Sequence, residues 1–158
     1  MRGVRRSFPL EDPGIEGYFS ESLRDRGPIA IAGRFVSYVA DGNGRVGETD
    51  EDYEYTSVDR VDLRTGKRRS SSCTNSFEQE EDNACGEHLK VTAIVLRRTG
   101  GYAYLQRLHT ADRRVVRIDR RGQAELDRGR DVELRSLRLD GRTLSWRRGG
   151  ATKTDSLY

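Results

Sequence analysis

The sequence predicts an all-β fold of antiparallel hairpin and meander repeats. Three observations carry that expectation. Apolar residues alternate with polar ones in short runs, as a half-buried sheet requires. Glycine-containing turn signals separate the runs. No stretch combines helix caps with a 3.6-residue apolar period. The best helical candidate, Ala124 to Leu139, alternates like a strand and holds Gly129.

Residues 1–28 show no period, and Pro9, Pro13, Gly14, Gly17, Gly27 and Pro28 interrupt any element there. They read as an irregular lead-in with one short strand or turn near Tyr18 and Phe19. Regular structure begins with Ile29 to Gly33, followed by a strand over Arg34 to Ala40. Asp41-Gly42-Asn43-Gly44 is a strong turn signal. After an acidic stretch, Tyr55 to Leu63 forms a third strand that ends at Arg64-Thr65-Gly66-Lys67, with a fourth over 67–70. The order recurs after residue 90. Val91–Leu96, Tyr102–Leu108, Arg114–Asp119 and Gln123–Asp127 are strands, separated by turns at Arg98–Gly101, Asp112-Arg113 and Arg121-Gly122. A third copy starts at Leu134. Asp140-Gly141 is its type I′ hairpin pair, and Thr143–Arg147 and Ala151–Leu157 are its strands.

These segments are internal repeats over about 29–72, 91–129 and 134–158, with 73–90 as an inter-repeat loop. Gly33 is followed by Val36 and Tyr38, and Gly141 by Leu144 and Trp146. Gly100 matches with a one-residue slip through Tyr102 and Tyr104. Val58-Asp59-Arg60-Val61-Asp62 parallels Val115-Val116-Arg117-Ile118-Asp119. The apolar and aromatic residues two apart share one strand face, expected to pack on a neighbouring repeat. Residues 29–158 therefore form a single domain.

Composition sets limits. At 158 residues the chain suffices for one cored domain. Hydrophobic residues are 34% and charged residues 35%, so the core is thin. Residues 91–158 hold sixteen basic and eight acidic groups, whereas 73–90 hold one and five. The middle is acidic and the C-terminal half basic. No run of about 18 apolar residues spans a membrane. MRGVRRSFPLEDPG has a basic start without an apolar h-region, so it does not read as a signal peptide.

Cys73 and Cys85 bracket a polar, acidic loop. A disulfide between them is the expected state, worth about 2–3 kcal/mol for so short a ring, and it implies an extracytoplasmic or secreted setting. Two free thiols in a cytosolic protein are the alternative. Zinc fits poorly, because His88 alone does not complete a four-ligand site.

Ile31 to Tyr38, Val61 to Lys67 and Leu139 to Trp146 carry a resemblance to β-propeller repeat proteins, of the WD40-like or TolB-like extracytoplasmic bacterial kind. The resemblance implies a partial propeller, because two repeats and part of a third do not close a ring. It implies closure by association or an open fragment. A β-sandwich of the same hairpins is the alternative.

Three site readings follow. Asp41, Asn43, Glu48, Asp50 and Asp52 supply hard oxygens for calcium or for a partner, though Gly47 falls one place late for an EF-hand loop, and a solvated acidic loop explains the same residues. Arg113, Arg114, Arg117, Arg120 and Arg121 form a possible polyanion patch, with Tyr102, Tyr104 and Trp146 available to stack, but acidic residues are interspersed. His88 and His109 lie in no catalytic or metal-ligand spacing. No cofactor is expected. The chain thus reads as a non-enzymatic scaffold or interaction module with a protein partner or self-association. Its recognition surface is expected in loops 47–54 and 73–85. A polyanion or nucleic-acid binder is the second reading, and no small-molecule substrate is inferred.

Overall fold

The computed structural model describes residues 20–22, 27–45, 52–74, 90–108 and 111–158. Among them the chain is all-β and antiparallel, with no helix. The strands are β1 (Ser20–Ser22), β2 (Ala30–Ala32), β3 (Phe35–Arg45), β4 (Asp52–Asp62), β5 (Arg68–Thr74), β6 (Lys90–Leu96), β7 (Tyr102–Arg107), β8 (Arg113–Asp119), β9 (Gly122–Gly129), β10 (Arg138–Asp140), β11 (Thr143–Arg148) and β12 (Ala151–Ser156). They form three sheets in chain order. The first is the meander β2-β3-β4-β5, with β1 added to β3. The middle one is the meander β6-β7-β8-β9, and the last is β10-β11-β12.

Turn chemistry fixes the registers. Ala32 pairs with Phe35 across Gly33-Arg34, and Asp140 pairs with Thr143 across Gly141-Arg142. Gly33 has φ +62° and Gly141 has φ +58°, while the arginine after each keeps a negative φ. Positive φ at the first central residue alone marks a type II′ turn. The expected type I′ pair at Asp140-Gly141 is therefore shifted one residue along and changed in type. In the middle sheet Arg97 donates its backbone N–H to the Gly101 carbonyl, which leaves a three-residue turn, Arg98-Thr99-Gly100. The extra residue is the one-residue slip seen in the repeat.

One turn signal is overridden. Asp41-Gly42-Asn43-Gly44 lies within β3, which pairs with β4 without a break from Phe35↔Asp62 to Arg45↔Asp52. Turn propensity is a local preference that tertiary and cross-strand context overrides. An eleven-residue ladder, extended by the pairing of β1 with Asp41–Asn43, outweighs it. The third strand accordingly starts at Asp52 rather than Tyr55, β9 runs on to Gly129, and β5 reaches Thr74.

The middle sheet is buried on both faces. In β7, Tyr102 and Tyr104 point to the first sheet, where they meet Phe35 and Val58 in a cluster that also takes in Val116 and Ile118 of β8. The alternate residues Ala103 and Leu105 point to the last sheet and meet Leu144, Trp146, Leu137 and Leu157. Period-2 alternation thus sorts one strand between two cores. It also explains why Tyr102 to Gln106 are all buried, since a two-faced strand has no solvent side.

The repeat persists in hydrogen bonds. Asp62 Oδ1 accepts the Arg64 N–H, and Asp119 Oδ1 accepts the Arg121 N–H, each closing the turn after a third strand. Arg60 reaches from the first sheet to the Gly100 carbonyl of the middle sheet at 3.1 Å. The equivalent Arg117 reaches from the middle sheet to Asp155 of the last at 2.8 Å. Trp146 Nε1 donates to Asp127 at 2.6 Å, tying the last sheet to β9.

Candidate functional site

Two features of this stack stand apart from its core. The first is the outer face of the first sheet. Val36 and Tyr38 hold the repeat position filled by Tyr102 and Tyr104 in the middle sheet and by Leu144 and Trp146 in the last. In those two sheets the residues are 0–4% exposed, because each face meets the sheet before it in the chain. Among the described residues no sheet precedes the first, and Val36, Tyr38 and Val61 stay half-buried. Beside them Ile29 is 67% exposed and Ile31, opposite Val36, is 73% exposed. Asp59 lies on the same face, buried beneath its ion pair with Arg68. The opposite end of the stack differs. The outer face of the last sheet carries Arg138, Asp140, Thr143, Ser145 and Arg147, all polar.

The second feature is a cleft of about 290 Å³ where the turns of all three sheets converge. Arg60 and Arg69 come from the first sheet, and Arg97, Thr99, Gly100, Gly101, Asp119 and Arg120 from the middle one. Arg142 comes from the last sheet, and Tyr158 follows it. Gly100, at φ +89°, is required twice over. A Cβ there would sit 2.7 Å from Arg60 Nη1 and 3.1 Å from the Phe35 ring. The glycine lets Arg60 lie between the sheets, over the Phe35 ring at 5.0 Å. At Gly101 the backbone oxygen of Tyr158 takes the place a side chain would need.

Asp119 is the only carboxylate side chain lining the cleft among the described residues, and it is already engaged. It accepts from the Arg121 side chain, from the backbone N–H groups of Arg121 and Tyr158, and lies 3.6 Å from Arg117. Burial works against its charge, but these donors outweigh burial and hold its pKa below the ordinary carboxylate value. Arg121 is correspondingly raised, first through its bond to Asp119. The Tyr158 ring sits among three guanidinium groups, those of Arg121 at 4.4 Å, Arg120 at 5.0 Å and Arg142 at 5.8 Å.

Most arginines of the expected polyanion patch are engaged within the protein. Arg113 donates to the carbonyls of Arg130 and Val132, and Arg114 to Gln106. Arg117 and Arg121 are paired with Asp155 and Asp119, so only Arg120 of the five lines the cleft. Tyr102, Tyr104 and Trp146 are core residues rather than stacking platforms. Asp41 and Asn43 lie in β3 and Asp52 in β4, while Glu48 and Asp50 lie outside the described residues. The Cys73–Cys85 pairing falls outside them as well, since Cys85 is not among them; so do His88, His109 and most of loops 47–54 and 73–85. Among the described residues no group of three His, Cys, Asp or Glu side chains converges on a metal position, and no helix is long and apolar enough to cross a membrane.

Sequence reasoning did not anticipate Arg60, Arg69 and Arg142 as one group. One signal pointed there: Arg60 and Arg117 occupy the same repeat position, and that position crosses to the next sheet. Comparison with protein-family models, curated proteins and solved structures finds no match.

Proposed function

We propose that this chain is a non-enzymatic β-repeat interaction module, a propeller-like run of three sheets that docks a second copy of itself through the outer face of its first sheet. The observation that carries this is the repeat mismatch in burial. Val36 and Tyr38 stay half-buried at the positions that the other two sheets bury against a sheet, and Ile31 beside them is exposed. An exposed apolar face at such positions is a surface for association. The outer face of the last sheet, by contrast, is polar. Head-to-tail growth through that face therefore has no apolar counterpart, and the first sheet meets its own copy in a two-fold arrangement. The engaged state of Asp119 supports a binding role over acid–base chemistry, because a carboxylate held ionised by four donors is a poor proton carrier.

The test is molar mass in solution by light scattering, for the chain and for Ile31→Glu. Ile31 is exposed, so the change leaves stability within about 0.5 kcal/mol. A dimer for the unaltered chain and a monomer for Ile31→Glu are expected. A monomer for both, or a dimer that survives the charge, overturns the proposal.

A further inference from the structure

We infer that the cleft between the three sheets is a binding site for a compact polyphosphate group. Among the described residues five guanidinium groups and one side-chain carboxylate line it, and that carboxylate is engaged by Arg121 and the Tyr158 N–H, with Arg117 3.6 Å away. The excess positive charge therefore faces the void.

Donors remain free there. The side chains of Arg69, Arg120 and Arg142 make no hydrogen bond or ion pair among the described residues, although Arg120 and Arg142 lie over the Tyr158 ring. Arg60 donates Nη1 to the Gly100 carbonyl, which holds its guanidinium at the cleft wall. Arg97 spends Nη1 on the Leu157 carbonyl, which fixes the guanidinium at the cleft wall. Planar guanidinium forks match the paired oxygens of phosphate better than any lysine does.

The arrangement also selects among anions. The cationic groups come from three sheets, so a ligand with two or more linked phosphates satisfies more of them than one phosphate does. Single-stranded nucleic acid needs aromatic faces for its bases. The only ring lining the cleft among the described residues, Tyr158, already has three guanidinium groups stacked around it. A phosphate group is therefore favoured over a base. This site is independent of the docking face, and loss of one leaves the other standing.

The experiment is calorimetric titration of the full chain with inorganic pyrophosphate, with orthophosphate and with a short single-stranded oligonucleotide, at matched ionic strength. Pyrophosphate is expected to bind at least about tenfold more tightly than orthophosphate. In Arg69→Gln/Arg142→Gln its affinity is expected to fall by about tenfold or more, the scale of a lost charge-assisted hydrogen bond. Arg107→Gln, exposed at the far end of β7, serves as control and leaves it unchanged. No pyrophosphate heat, equal loss in the control, or oligonucleotide binding without pyrophosphate binding overturns the inference.

Discussion

Truncating Leu105 to alanine tests the two-faced middle sheet. Leu105 is 0% exposed and sits against Leu144, Trp146 and Leu157 across the interface with the last sheet. The change removes three carbons, worth about 2.4 kcal/mol in transfer at ~0.8 per methylene. The cavity left between two sheets adds to this, because neither backbone can close on it without breaking a ladder. A total of about 3–4 kcal/mol follows, inside the ~2–5 range for such truncations. For a chain of this size that corresponds to a fall in Tm of roughly 6–16 °C. Urea unfolding with an unchanged slope is the assay, since an altered slope reports a different unfolded state. Ile31→Ala, at 73% exposure, is the reference and should cost under about 0.5 kcal/mol. If Leu105→Ala cost less than about 1 kcal/mol, the last sheet would not be packed on the middle one, and the reasoning would fail.

Further outcomes follow from the turns and the buried polar groups. Gly100→Ala and Gly122→Ala both strain a positive φ, at +89° and +100°, but only Gly100 also meets atoms under 3.4 Å. Gly100→Ala should therefore lower the urea midpoint clearly more than Gly122→Ala, and equal losses would contradict the close approach of Arg60. Asp119→Asn should cost about 2 kcal/mol at pH 7, below the ~3–5 of a fully buried pair because Arg121 stays in contact with solvent. Asp119 is depressed in the folded state, so its contribution is present above the unfolded pKa of ~3.9 and is lost as pH falls through the lower folded value. The stability gap between the two proteins should close in acid, and a gap constant to pH 2 would refute this. Tyr102 is raised, first by burial and then by Tyr104, and its hydroxyl donates to the Val58 carbonyl at 3.3 Å. Its contribution is full below about pH 10 and declines above it, because the unfolded chain ionises first. Tyr102→Phe should remove that alkaline decline in a pH-dependent urea series.

Most of the strand framework was legible in the sequence because alternation and glycine turns act within a few residues. Gly33 and Gly141 mark equivalent turns, and Val58–Asp62 and Val115–Asp119 mark equivalent strands, at a repeat visible without coordinates. What failed was also local. Asp41 to Gly44 has turn chemistry, yet it is held extended by partners on both sides, β4 and β1, which a local signal does not contain. The site was less legible. Arg113, Arg114, Arg117, Arg120 and Arg121 are neighbours in sequence, but Arg113 and Arg114 bond to other partners and Arg117 and Arg121 are paired with carboxylates, which leaves Arg120 alone of the five in the cleft lining. The cleft instead gathers Arg60, Arg69, Arg97, Arg120 and Arg142 from three sheets. That grouping depends on how the sheets stack, and no spacing rule encodes it.

Hydrogen exchange resolved by residue tests the central claim, that β6–β9 is the shared middle layer, most directly. Amides of β7 and β8, covered on both faces, should exchange slowest and only with global unfolding, while those of β12, paired only with β11 among the described strands, should open first. Protection in β12 equal to that in β7 would contradict the three-layer account.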